Sequence, residues 1–451
     1  MNTQSDDSAR RLGFWMCVAL VVGNMIGTGI FMLPASLAPY GLNSLWAWLL
    51  TVAGALFLAF SLSGLSRAFP NAEGPYAYTR LAFGDLTAFV GAWGYWVCLW
   101  VGNAAIATGV TSYLSSLLPW IVEVPGASAG TTIFFVWLLT AVNAYDVSAA
   151  GRVQVLTTVL KLLPLLAVVG LTAALVFGDS SRLGNAEFLH TPFKLDSVTT
   201  AATLTLWAML GFESAAVMSS KVRDPERTIP RATMVGTMLT GTIYIVVCMA
   251  VMLLIPGEQL AHSNAPFAEV AGMFWGGAAA QWMALFIVIS GLGALNGNLL
   301  MQGELPFQMA RKGEFPRVFA RESPRRTPAI SLYIGSTLIT ILVLMNYQKS
   351  MVEVFTFMIL LATTANLVTY LLCALAVLVL LRNGKLATSS TRRTAGLAVA
   401  GVMGTVYALW TLYGAGKDAV FWGFVLLVVA VPVFYLMRSR RATAKPANET
   451  A

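Results

Sequence analysis

The sequence predicts an all-α integral membrane protein with twelve transmembrane helices. Three observations lead there. The 451 residues are 57% apolar and only 11% charged, with a mean hydropathy of +0.74, whereas an ordinary soluble domain carries about 25% charged residues. The apolar residues fall in runs of the length a bilayer requires, about 20 residues each. The Lys and Arg residues between those runs alternate sharply from one side to the other.

The runs lie near 13–38, 42–66, 88–118, 131–146, 154–178, 197–220, 229–255, 279–310, 327–346, 353–381, 395–415 and 419–437. Arg10-Arg11 ahead of an apolar stretch resembles a secretion signal. No small-x-small cleavage site follows as far as Phe31-Met32-Leu33, so the stretch reads as a retained first span. With the N-terminus inside, the inner segments carry 23 of the 28 Lys and Arg and the outer loops 4, with Lys161 inside a span. That asymmetry predicts both termini in the cytoplasm of a bacterial-type inner (plasma) membrane. It also accounts for the net charge of +8 without a nucleic-acid partner. Residues 1–12 and 438–451 then read as cytoplasmic tails.

Cys17, Cys98, Cys248 and Cys373 sit in apolar spans without metal-ligand spacing and read as packing residues. His190 and His262 fall in polar loops. No metal site, cofactor motif or catalytic constellation is legible, so the chain reads as a non-enzyme whose partners are a small molecule and the lipid bilayer.

Two spans carry breaks. The first contains Gly23-Asn24-Met25-Ile26-Gly27-Thr28-Gly29-Ile30-Phe31. Closely spaced glycines cost a helix about 1 kcal/mol each, and with Asn24 and Thr28 among them they predict an unwound segment. Such a segment frees main-chain N–H and C=O groups, and the half-helix N-terminus that follows favours a carboxylate. Close helix packing through small residues is the plainer alternative. The sixth span contains Trp207-Ala208-Met209-Leu210-Gly211-Phe212-Glu213-Ser214. Trp207, Leu210 and Gly211 share a face at helical spacing. A carboxylate as deep as Glu213 is expensive unless paired or solvated, which marks it as functional, with a structural hydrogen bond as the alternative. Breaks in spans one and six fit five helices repeated in inverted orientation with the site between the repeats, although no clear internal sequence repeat is visible.

Polar faces recur elsewhere. In the third span Tyr95, Leu99 and Asn103 align, with Cys98 and Gly102 beside them. The eighth holds Ser290-Gly291-Leu292-Gly293-Ala294-Leu295-Asn296-Gly297-Asn298, with Glu304 following, which is expected to pair with the basic loop after Arg311. Lys161 is a further intramembrane charge, either a coupling or site-organising cation or a side chain that snorkels to the interface.

The stretch Gly23 to Phe31, with Leu33-Pro34-Ala35 after it, resembles the first-helix motif of the amino acid–polyamine–organocation (APC) superfamily. Within it the chain is most similar to the basic amino acid/polyamine antiporters of the arginine/agmatine exchanger type. Glu73-Gly74-Pro75-Tyr76-Ala77-Tyr78, Tyr95-Trp96 through Asn103, Leu206-Trp207 through Ala215, Asp224-Pro225-Glu226-Arg227-Thr228-Ile229-Pro230 and Gly313-Glu314-Phe315-Pro316 carry the same resemblance, which runs over nearly the whole chain. It implies a leucine-transporter-like fold: a 5+5 inverted repeat at 13–178 and 179–381 with helices 1 and 6 unwound, plus two additional helices at 382–437, often in a homodimer.

The resemblance also implies roles. Thr28 and Gly29 would hold a substrate carboxylate, with Ile26 and Gly27 in the same unwound stretch. Carbonyls near Met25, Trp207 and Leu210, beside Gly211, would take the α-amino group. Trp207 would stack on the substrate and gate the site. Cys98, Leu99, Asn103, Ala294 and Asn298 would line the side-chain pocket. Tyr95 would gate, Glu213 would tune access or protonation, and Asn24 would brace the loop. Two departures stand out. Asn298 occupies a position where arginine/agmatine and lysine/cadaverine exchangers have a second tryptophan. Lys161 is similar to the fifth-helix lysine of proton-coupled transporters, where it takes the place of a sodium ion. The expected function is therefore exchange of amino acids or their amines by alternating access. Cationic amino acids or polyamines lead, and neutral amino acids, by exchange or proton coupling, stay open. A polytopic membrane enzyme or a channel is remote, because the deep charges form no constellation or ring.

Overall fold

The computed structural model describes residues 13–443 apart from 28, 70, 71, 73, 146, 147, 179–184, 213–221, 326 and 387–389. No β-strand occurs among the described residues. The helices are α1 (Phe14–Met25), α2 (Gly29–Leu37), α3 (Asn43–Ala68), α4 (Gly74–Phe83), α5 (Asp85–Ser115), α6 (Ala127–Tyr145), α7 (Ser148–Phe177), α8 (Leu195–Met209) and α9 (Pro225–Leu254). They continue with α10 (Pro266–Trp275), α11 (Gly277–Arg311), α12 (Ala329–Met345), α13 (Met351–Arg382), α14 (Thr391–Gly414), α15 (Gly416–Val428) and α16 (Ala430–Thr443).

Among the described residues nine helices are long and apolar enough to cross a membrane, and α1 with α2, bent by 52° at their junction, would make a tenth. With so many apolar spans the chain is a multi-pass membrane protein. The apolar α12 has 17 residues and α8 has 15. Each of the twelve apolar runs overlaps a helix or helix pair, the sixth over Leu195–Met209 alone among the described residues, and several bounds differ. The fourth helix starts at Ala127, the fifth at Ser148, and the last run is divided between α15 and α16. The sixth stops at Met209, so helical spacing does not relate Trp207 to Leu210 and Gly211.

The third span is the hub. Its most apolar stretch is 89% buried, whereas that of Gly416–Ser439 is 11% buried and faces outward. Small residues Gly91, Gly94, Gly102 and Gly109 let neighbours approach α5 closely; a Cβ on Gly94 would lie 2.7 Å from the Ala365 carbonyl oxygen of α13. Helix α5 packs on α13, α11, α6 and α12; α9 packs on α3, α1 and α7; α8 packs on α3; and α11 packs on α7, α6 and α12. Short α4 runs into α5 across Gly84 (φ +86°), and short α10 runs into α11 across Gly276 (φ +87°). Glycine is needed at both corners because the left-handed region is strained for other residues. The four cysteines are all buried and none is in a disulfide.

Candidate functional site

The candidate site is where two helices stop in mid-chain. Helix α1 ends at Met25, Ile26 leaves the helical region (ψ 91°), and α2 begins at Gly29. Helix α8 ends at Met209, Leu210 is extended (ψ 146°), and Gly211 turns with φ +102°. Glycine permits both features at low conformational cost. The two ends meet: a Cβ on Gly211 would lie 3.6 Å from Asn24 Nδ2.

A cavity of about 110 Å³ lies at this meeting point. Its wall includes Asn24, Met25, Gly27 and Gly29 from the first break, and Trp207, Leu210 and Gly211 from the second. Tyr95, Cys98, Leu99 and Asn103 come from α5, and Asn298 from α11. Twelve of the residues singled out from the sequence are thus brought together. Asn24 is exposed and Trp207 half-buried, so the cavity is not fully enclosed on that side.

The Trp207 ring lies directly against the start of α2. A Cβ on Gly29 would fall 1.7 Å from Trp207 Cζ3, so only glycine admits the ring there. The indole also packs against Phe355, with ring planes near perpendicular and centroids 5.7 Å apart. Trp207 is therefore held by contacts with both α2 and α13. The freed main chain at the breaks is partly used by the protein itself. The Met25 carbonyl accepts from Tyr244 Oη at 2.6 Å and from the Gly27 N–H at 2.9 Å. The Trp207 carbonyl accepts from the Leu210 N–H at 3.2 Å.

Asn103 is 1% exposed and donates through Nδ2 to Gln302 Oε1 at 2.8 Å; among the described residues its own Oδ1 has no partner. Among the described lining residues there is no Asp, Glu, Lys or Arg. The wall is polar through amides, a phenol and main chain.

The remaining expected residues fall differently. Ile26 is buried in the hydrophobic core and does not line the cavity, because its side chain turns into the packing of the first span. Ala294 is buried too, and its single methyl does not reach the cavity wall. Thr28 and Glu213 lie outside the described residues. Lys161 is 1% exposed and does not line the cavity; among the described residues it has no hydrogen-bond or ion-pair partner. Such burial does not fit a lysine that snorkels to an interface. Glu304 accepts from Gln308 Nε2 at 2.6 Å and makes no ion pair with the basic loop among the described residues.

Ile30, Ile106, Ala208, Tyr244, Met301 and Asn366 also line the cavity and were not singled out from the sequence. Asn366 carried a usable signal, since an amide in the middle of a long apolar span is unusual. Tyr244 carried little, because an isolated tyrosine in a span has many packing roles.

A larger cavity of about 670 Å³ lies elsewhere, lined by Ser116, Gln259, His262, Ser263 and Glu269 among others. It touches neither helix break. Close by, Tyr113 Oη donates to the Phe31 carbonyl at 2.8 Å and accepts from the Phe267 N–H at 3.2 Å, tying α5, α2 and α10 together.

Comparison with known proteins agrees with the sequence resemblance. The family model described as amino acid permease matches residues 12–435. The cadaverine/lysine antiporter of Escherichia coli (strain K12) is 32% identical over 343 residues, covering 75% of this chain and 75% of that protein. The putrescine transporter PotE of Haemophilus influenzae is 29% identical over 425 residues, covering 93% of this chain and 95% of that protein. The arginine/agmatine antiporter of Chlamydia pneumoniae is 29% identical over 467 aligned positions, covering 98% and 93% respectively.

Proposed function

The chain belongs to the amino acid permease family of transporters, within the APC superfamily, and from that premise we propose that it exchanges cationic amino acids and their amine products by alternating access. The observation that carries this reading is the cavity between the α1–α2 break and the end of α8, walled by Trp207 against Gly29. A site made of interrupted helices offers main-chain dipoles to a zwitterion in the hydrocarbon layer, where such groups are otherwise consumed by the helix. The named relatives, antiporters or transporters of cadaverine, lysine, putrescine, arginine and agmatine, support the cationic class.

We read the architecture as twelve spans in a bacterial inner membrane with both termini cytoplasmic. Residues 13–178 and 179–381 form inverted five-helix repeats, followed by two additional helices at 382–437. Helix pairing supports the repeat. Exchanging the first five spans for the second five turns α1–α9 packing into α8–α3, α5–α13 into α11–α7, α6–α11 into α12–α5, and α7–α9 into α13–α3, and all these pairs occur. The corner devices correspond as well: α4 and α10 each have 10 residues and each enters a long helix through a glycine at nearly the same φ. The outward apolar side chains of the last helices, such as Phe421, Phe424 and Tyr435, suit lipid or the second copy of a homodimer.

In this reading Thr28 and the N-terminus of α2 at Gly29 hold the substrate carboxylate. Trp207 stacks on the substrate, by cation–π contact where it is charged. Asn103, Cys98, Leu99 and Asn298 line the tail pocket, Tyr95 and Glu213 gate, and Asn24 braces the break. Lys161, a buried cation in the fifth span, serves coupling.

Counterflow in proteoliposomes tests the function. Vesicles preloaded with arginine, agmatine, putrescine, leucine or alanine are expected to take up label without sodium when loaded with the cations. A second reading, exchange of neutral amino acids, is favoured by Asn298 in the cavity wall and by the lack of a carboxylate among the described lining residues. Exchange confined to leucine and alanine would establish it and remove the first. In the same vesicles Lys161→Ala is expected to alter the pH profile of exchange; an unaltered profile would take Lys161 out of coupling.

A further inference from the structure

Asn366 lies in the middle of α13, is 1% exposed, and lines the cavity. Among the described residues neither its Oδ1 nor its Nδ2 has a hydrogen-bond partner. Nearly all buried amides in folded proteins are paired. One with both valences open in a cavity wall marks the place of a partner the protein does not itself supply. Asn103 repeats the signal across the cavity: its Nδ2 is engaged by Gln302, and its Oδ1 is open.

The neighbourhood fixes where Asn366 stands. One turn further on, Thr369 Oγ1 donates to the Gly91 carbonyl of α5 at 2.8 Å. The adjacent Ala365 carbonyl is pressed against Gly94. Tyr370 stacks on Phe212, with centroids 4.9 Å apart and planes 29° apart, beside the turn at Gly211. Helix α13 is thus pinned to α5 and to the chain just beyond α8, and Asn366 is delivered to the cavity between those two contacts. A backbone held this way sets the position of the Asn366 Cα before any ligand arrives, which favours selective contacts.

With no carboxylate among the described lining residues, neutral acceptors are what those residues offer a cationic tail. Amide oxygens fit that task, because an ammonium donates three hydrogen bonds and a bond with one charged partner is stronger than a neutral one. We propose that Asn366 adds to the tail pocket already assigned to Asn103 an acceptor for the substrate's terminal amine, and that Asn366 is a specificity-determining residue separating amine-tailed substrates from apolar-tailed ones of equal length. This rests on the exchange reading above and narrows it to the tail.

The test uses purified full-length protein and the ligands lysine and norleucine, whose tails differ by an amine against a methyl. Ligand-induced thermal stabilisation gives the half-saturating concentration of each. In Asn366→Leu the lysine-to-norleucine ratio of those concentrations is expected to rise at least about tenfold, the order of one lost charge-assisted hydrogen bond. In Asn366→Asp the ratio is expected to fall, and that variant decides the matter alone if the leucine variant does not fold. A ratio unmoved in both variants, including one unmoved because the two ligands weaken together, would overturn the assignment. A wild-type protein stabilised by neither ligand, and exchanging no cation in vesicles, would overturn the exchange reading along with it.

Discussion

Trp207→Leu is expected to lower the counterflow rate at limiting substrate by about 10- to 100-fold while the protein still purifies as a folded species. The ring is half-buried, so the substitution removes less packing than a core tryptophan would. What it removes is a cavity wall. The indole packs against the start of α2 at Gly29 and against Phe355, and a leucine in its place offers a substrate no flat surface. A flat aromatic surface offers cation–π and stacking contacts of roughly 0.5–2 kcal/mol. The lost orientation of the substrate adds to that, because misplacement of a bound molecule is itself costly. Exchange kinetics equal to wild type would remove Trp207 from the substrate path.

Gly29→Ala should be at least as damaging, for a reason that lies in geometry rather than chemistry. The new methyl would have to occupy a point 1.7 Å from Trp207 Cζ3, far inside contact distance, so either the indole swings out of the cavity wall or α2 shifts. Overpacking of this kind typically costs about 1–3 kcal/mol, and here the displaced group is the proposed gate. Exchange is expected to drop to background. The partner measurement is the double variant Gly29→Ala with Trp207→Leu. Because the clash disappears with the ring, the double variant should be no worse than Trp207→Leu alone, a strongly non-additive result. Additive losses, or normal transport by Gly29→Ala, would show that the two residues do not share one wall.

The points where α1 and α8 end lie beside glycines that the sequence displays locally. Glycines at 23, 27 and 29 weaken the helix wherever the chain is placed, and α1 does end at Met25 with α2 beginning at Gly29. The twelve apolar runs were legible for a similar reason, since hydropathy and the side-to-side alternation of Lys and Arg are properties of short segments. Reading residues off helical periodicity was weaker. Trp207, Leu210 and Gly211 do line one cavity, but α8 ends at Met209 and it is the turn at Gly211, not a shared helix face, that brings them together. Ile26 and Ala294 were drawn in by their neighbours in sequence, and the structure turns Ile26 into the core and leaves Ala294 short of the wall.

The sequence by itself determined a chain that must live in lipid, the places where its helices are weakest, and the aromatic and amide groups beside them. Only the tertiary structure decided which distant residues complete the cavity: Tyr244 on the Met25 carbonyl 219 positions away, Gln302 on Asn103, and Asn366 with its open amide. The physical reason is range. Helix propensity and hydropathy act over a few neighbouring residues, whereas the partner of a buried polar group is chosen by the packing of whole helices, which no local pattern encodes.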